Sequence, residues 1–401
     1  MMPPIRPNAP PAPWLAIVAM GATIPTALLL ACATDGASAP NEAPPESETV
    51  QVADSGVEGG DGDASLGPCD DCEYFPERCE PDTLCPNGPF DPATAGGAID
   101  PRTRVNVIRG RSANDVWVAG GVGSITHFDG TSWARSDSGT QESIHALWLL
   151  GSEEVAFGRL DFLHTRGIDV PDAGVSTGGW TLQNPTTIPT DYKRTATSLE
   201  AAWGAPGAEW LWAAVRPLGL WRLRRSPSDG FKIAVAIDPS AFTYPMTDIH
   251  GSSADVLWAV GDNGRAVRIT GAQGDKPAYE MFNTQTSNGL RGVWTASESE
   301  AWAVGGSGTI RHYTGDSVFW DVVADVPTTR HLNAVWGTSP SDVWAVGDDA
   351  VVLHYDGTQW SRVKIAGLGP LRPDLYAVWT GAAGHVWIGG HGVLLSLGGK
   401  P

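Results

Sequence analysis

Four of the five cysteines, Cys69, Cys72, Cys79 and Cys85, lie close together. Four thiolates beginning with a C-x-x-C pair are enough to close a zinc tetrahedron. The same residues in an exported chain form a disulfide framework instead, because thiols oxidise outside the cytoplasm. We read them as two disulfides; four cysteines allow three pairings, and spacing does not choose among them. Asp61, Asp63, Asp70 and Asp71 lack the EF-hand spacing and its closing Glu and read as solvated charge.

The fifth cysteine, Cys32, closes the run Leu29-Leu30-Ala31-Cys32. It follows an apolar stretch from Trp14 to Ala31, with Arg6 before it. This pattern resembles a secretory signal ending in a lipobox, which implies that the Cys32 thiol accepts a lipid. Ala33 after the cysteine fits sorting to the outer membrane of a Gram-negative envelope. The expected localisation is therefore the cell envelope, with the membrane engaged through the lipid anchor.

Three histidines, His127, His312 and His354, recur before an aromatic residue, and six acids, Asp115, Glu154, Glu209, Asp255, Glu300 and Asp342, recur before an apolar run. Histidines could hold a metal and paired carboxylates could exchange protons. Both sets repeat with the chain, so each member belongs to its own structural unit. We read the histidines as strand residues and the acids as turn formers. Arg159, Arg224, Arg268 and Arg311 are scattered, and no G-x-S-x-G, H-E-x-x-H, Walker or dinucleotide motif is present. No catalytic residue, metal or cofactor is expected.

The elements that position these residues come from a repeat. Its clearest copy is Leu332 to Val363, LNAVWGTSPSDVWAVGDDAVVLHYDGTQWSRV. Aligned on Trp336, the equivalents are Arg109, Trp148, Trp203, His250, Trp294 and Trp379. The period is mostly near 40 to 45, with several short strands per copy, as in a propeller blade. Each copy reads as four strands: A at Asn333 to Trp336, B at Asp342 to Val346, C at Val351 to Tyr355 and D at Gln359 to Val363. Gly347-Asp348-Asp349 and Asp262-Asn263-Gly264 are hairpin signals, and Asp356-Gly357 turns C into D. Strand B is apolar on both faces, as a strand stacked between two blades must be. Its tryptophans, Trp117, Trp212, Trp258, Trp302, Trp344 and Trp387, are expected to pack between blades.

The W-A-V-G strand, the T-I-x-H strand and the D-G-T-x-W close resemble exported bacterial WAVG-repeat propellers. These are similar to photosystem II assembly-factor-like propellers and, distantly, to Asp-box sialidase propellers. The resemblance implies a fold and no activity. Asp129-Gly130-Thr131-Ser132-Trp133 departs from the Asp-box, which has a residue between Asp and Gly.

The expected architecture is all-β, a seven-bladed β-propeller of four-stranded antiparallel blades. Residues 1–31 form the signal peptide, 32–66 a disordered acidic linker rich in Pro, Ser and Gly, 67–92 the Cys-rich segment and 93–401 the propeller. The net charge of −19 sits mainly in the tail, since residues 33–100 carry sixteen acids and only Arg78 as a base. No basic patch argues for nucleic acid. The last copy lacks a D strand, and Ala93 to Arg104 is expected to supply it. Long connections at Thr181 to Thr197, Ser226 to Pro245 and Lys364 to Pro373 are candidate binding loops. The function read from these features is a non-enzymatic binding or scaffold module, its partner a protein or glycan on one propeller face. The competing reading is an envelope hydrolase or lyase acting on glycan or peptide at the channel.

Overall fold

A computed structural model describes residues 71–90, 94, 97–169, 173–185, 187–190, 192, 196–217, 219–226 and 230–399. The expected signal peptide, the linker, Cys32 and Cys69 lie outside the described residues. Seven four-stranded antiparallel sheets succeed one another, each ordered A-B-C-D from the inside outward. The A strands are Val105–Ser112, Ala146–Leu150, Ala196–Trp203, Met246–Gly251, Leu290–Ser297, Leu332–Ser339 and Leu375–Ala382. Each touches the A strand of the blades beside it, and the last touches the first, so together they wall a central channel. This is the seven-bladed propeller that the repeat implied. No described helix is long and apolar enough to cross a membrane.

Strand B is buried almost throughout, as at Asp342–Gly347 and Leu257–Gly261. Its tryptophans pack toward the next blade. Trp302 shares a core with Val335 and Val343, and Trp344 shares one with Val378 and Val386. Trp387 of the last blade packs on Ile108 and Val116 of the first, which closes the ring. Four described B–C hairpins turn on two successive left-handed residues, such as Asn263 (φ 57°) and Gly264 (φ 65°). That is the geometry of a two-residue turn matching the twist of its strands. A Cβ on Gly264 would collide with the Thr286 carbonyl oxygen, so glycine is required there.

The outer strand of the last blade is Leu84–Pro86, which pairs antiparallel with Val393–Leu397. The closing strand thus comes from within the Cys-rich segment, earlier than the expected Ala93 to Arg104. Leu84 explains the choice. It is fully buried against Val346, Ile365 and Leu395, whereas Gly96, Gly97 and Pro101 weaken the later segment as a strand. On its other side Leu84 donates to the Lys364 carbonyl (2.9 Å) and accepts from the Ala366 N–H (2.8 Å). The strand therefore ties the sixth blade to the seventh. Cys85 on this strand is disulfide-bonded to Cys79, and Cys72 is also disulfide-bonded. Arg362 and Arg372 of the sixth blade lie over Tyr74 and Phe75 of the same segment.

The long connections do structural work. Thr187 bridges Lys232, and the Tyr192 hydroxyl accepts from the Leu160 N–H at 3.1 Å. Phe242 is buried in the core beside Ile237 and Met246, and Ile365 and Leu368 in the core beside Leu84.

Candidate functional site

The A strands build the channel wall in layers, and the repeat alignment numbers them. One layer holds Trp336 and its equivalents. Four of the next-position residues, Gly110, Gly204, Gly251 and Gly337, are glycines, and the preceding blade's tryptophan lies against them. A Cβ on Gly251 would lie 2.6 Å from the Trp203 ring, and one on Gly337 2.8 Å from that of Trp294. Trp379 fills the same space against Gly110. The pattern fails in three places. Arg109 precedes Leu149 and His250 precedes Thr295, with no tryptophan to seat. Trp336 precedes Thr380, so its ring lacks a glycine recess. It meets His250 across the channel (ring centroids 4.9 Å), and the Arg109 guanidinium lies 4.7 Å from its centre. Arg109 and Trp336 line the cavities on both sides.

Three residues before this layer stand Asn106, His145, Glu200, Thr247, Arg291, Asn333 and Tyr376, one per blade. They form a polar ring at the mouth bounded by the D–A connections and B–C hairpins. With Arg104, Arg216 and Asp262 they line a cavity of about 470 Å³. Several reach into the neighbouring blade. Asn106 donates to the Ile144 carbonyl (3.0 Å), Thr247 to that of Leu290 (2.6 Å) and Asn333 to that of Leu375 (2.9 Å).

Charge in this mouth is unevenly matched. Arg216 holds Glu200 through two hydrogen bonds, of 2.7 and 3.3 Å. Arg291 donates to Asn333 Oδ1 (2.6 Å), and Arg104 lies 3.6 Å from the Tyr376 ring centre. Among the described residues Arg104, Arg109 and Arg291 have no carboxylate partner. Asp248 stands where four other blades have Ala and Gly or Val fills the rest. Its oxygens accept the N–H groups of Ile249 (2.9 Å) and Val293 (2.8 Å). Burial nonetheless pushes its carboxyl up to about 6. His250 Nδ1 accepts the Thr295 N–H (3.2 Å) and lies 2.6 Å from the Thr295 hydroxyl. Burial lowers His250 to about 3 and Arg109 to about 10. His145 is lowered by burial and by Arg104, while burial and Asp374 raise Tyr376.

The opposite mouth, on the A–B side, is apolar. A cavity of about 870 Å³ is lined by Trp148, Trp203, Trp336, Trp379, Leu147 and Leu149, with Arg109 on its floor. Its rim charges are paired: Arg111 with Asp115 and Glu154, Arg225 with Glu153, and Glu209 with Arg224.

None of the four scattered arginines, Arg159, Arg224, Arg268 and Arg311, lines either mouth, and the long connections contribute no described residue to either. The repeated histidines and acids do meet, but within single blades. His127 pairs with Asp115 (2.8 Å), His312 with Glu300 (3.3 Å) and His354 with Asp342 (2.8 Å). Each imidazole stacks on its blade's strand-B tryptophan, as His312 does on Trp302 at 3.7 Å. These acids therefore hold the blade together, beyond the turn-forming role expected of them. Among the described residues no group of three or more His, Cys, Asp or Glu is placed to hold a metal ion.

No protein-family model matches the sequence, and no curated protein matches it. Solved structures do share the fold. YCF48 bound to a D1 peptide aligns with a TM-score of 0.58 and 15% identity, over 81% of this chain and 97% of that one. YCF48 from Cyanidioschyzon merolae aligns with a TM-score of 0.56 and 15% identity, over 74% and 95%. The WD40 β-propeller domain of Doa1 aligns with a TM-score of 0.55 and 10% identity, over 73% and 92%. At these identities the likeness is one of fold.

Proposed function

We propose that the protein is a non-enzymatic binding module of the cell envelope, lipid-anchored at Cys32, that takes an acidic polypeptide segment at its arginine-bearing mouth. One observation carries the choice of ligand. Arg104 and Arg291 line one cavity and have no carboxylate partner among the described residues, in a chain whose net charge is −19. Cations held in a concave site attract a ligand that completes their pairing, and arginine favours carboxylates through its forked donors. A similar fold that carries a bound peptide, YCF48 with the D1 peptide, supports a polypeptide as the partner.

The enzyme reading draws on the same mouth, where arginines and acids converge with Tyr376. The state of Tyr376 and the hydrogen bonds of the acids weigh against it. A phenol nucleophile needs a lowered pKa, and that of Tyr376 is raised. Glu200 is engaged by Arg216, and Asp248, whose carboxyl is raised to about 6, has both oxygens taken by the backbone N–H groups of Ile249 and Val293.

Selection of displayed random peptides on the immobilised protein tests the proposal. Bound peptides should be enriched in Asp and Glu, and a R104Q/R291Q variant should lose the enrichment. Peptides without acidic bias, or a bias unchanged in the variant, would contradict it.

A further inference from the structure

We infer that the tryptophan-lined cavity on the A–B side is a second site, separate from the peptide mouth, for a small amphiphilic anion: a flat apolar body carrying one carboxylate. The wall and the floor of the cavity each dictate part of that ligand.

The wall selects the body. Trp148, Trp203, Trp336 and Trp379 converge on about 870 Å³, with Leu147 and Leu149 between them. Pockets of this size and apolarity hold small molecules that bury most of their surface. Trp148 and Trp379 are nearly buried, while Trp203 and Trp336 remain half-buried and expose more of their surface. Indoles accept flat rings in offset or edge-to-face contact.

The floor selects the head group. The rim cations and acids neutralise one another, so the rim offers no net charge to a ligand. Arg109 is different. Among the described residues its one hydrogen bond runs from Nη1 to the neighbouring Ile108 carbonyl (2.8 Å), and no carboxylate lies within ion-pair distance. The acid closest to it in influence is Asp248, whose two oxygens are occupied by the backbone N–H groups of Ile249 and Val293. A guanidinium held over the Trp336 indole, in a tryptophan-lined cavity and with no carboxylate in ion-pair reach among the described residues, is an electrostatic deficit that one carboxylate removes. A second charge on the ligand would meet apolar wall or rim charges that are already paired, which limits the head group to one.

Position 109 also departs from the repeat. Most blades place tryptophan there, and arginine in the first blade exchanges an apolar wall element for a cation. The neighbouring Leu149 keeps the wall apolar beside it.

Isothermal titration of the full chain with 2-naphthoate and with 2-naphthylmethanol, its uncharged counterpart, tests the inference. The naphthoate should bind about tenfold more tightly, the ratio expected of one charge-assisted hydrogen bond. Arg109→Met should abolish that ratio and Arg109→Lys should keep part of it. Trp203→Ala should weaken both probes, with thermal melts confirming that each variant is folded. R104Q/R291Q, in the opposite mouth, should change neither, which separates this site from the peptide site. Equal affinity of the two probes for the wild type, no binding of either, or an unchanged ratio in Arg109→Met would overturn the inference.

Discussion

Asp342 Oδ1 lies 2.8 Å from His354 Nε2 and accepts the Trp344 indole N–H at 2.9 Å. One oxygen thus fastens strand C to strand B and satisfies a buried donor. Asp115 does the same for His127 and Trp117 in the first blade. In the fifth blade Glu300 replaces aspartate. It still reaches His312, but the Trp302 indole N–H is buried without a partner among the described residues.

Glu300→Asp should therefore stabilise the protein. Restoring an acceptor for a buried donor is worth about 1 kcal/mol. A rise in melting temperature, with a new hydrogen-bonded Trp302 indole proton by NMR, is the expected result; an unchanged or lower value would contradict it.

The glycine that follows the aligned tryptophan should be intolerant of a side chain. Gly337→Ala places a Cβ 2.8 Å from the Trp294 ring and 2.7 Å from the Asp342 carbonyl oxygen. Overpacking of this kind costs about 1–3 kcal/mol. Denaturant unfolding should show that loss, and Thr380→Ala, where no tryptophan is seated, should cost clearly less.

His250 makes stability acid-sensitive. Its imidazole titrates near 3 when folded, against an ordinary 6.5. The folded state binds fewer protons between those values, so its contribution is full above about pH 6.5 and declines as the pH falls toward 3. Asp248, raised to about 6, acts in the opposite sense: its contribution is present below its ordinary 3.8 and is lost as the pH rises through 6. The comparison is therefore between wild type and His250→Gln, which keeps an acceptor for Thr295 and does not titrate. As the pH falls from 6.5 to 4, the melting temperature of the variant should rise relative to that of the wild type, because only the wild type loses the His250 contribution; parallel curves would refute the assignment.

The Cys-rich segment closes the ring, so breaking its disulfide should loosen the whole propeller. Cys79→Ser/Cys85→Ser should cost about 2 kcal/mol. Deleting 33–66 should leave the melting temperature nearly unchanged. Equal losses from both changes would mean that Leu84–Pro86 does not secure the last blade.

Much of this was legible because the repeat is periodic. Strand B is doubly apolar and its tryptophan recurs, which announces blades stacked on both faces. The closing strand was not legible, because Leu84 is a single apolar residue between cysteines and carries no strand pattern. The channel was legible in part. The residues three places before Trp336 and its equivalents are all polar, and that column marks the mouth once the copies are aligned. Asp248 stands out two places before, among small residues. Arg104 and Arg216 lie outside those columns, on a connection and at the end of a B strand. Only the closed ring brings them to the same cavity.

The central claim is that the arginine-bearing mouth takes an acidic polypeptide. Its most direct test is a titration of the full chain with a deca-glutamate peptide at low and at physiological salt. Binding should weaken as salt rises and weaken about tenfold or more in R104Q/R291Q at the same salt. Deca-glutamate binding equally well to wild type and variant, or not binding at low salt, would contradict it.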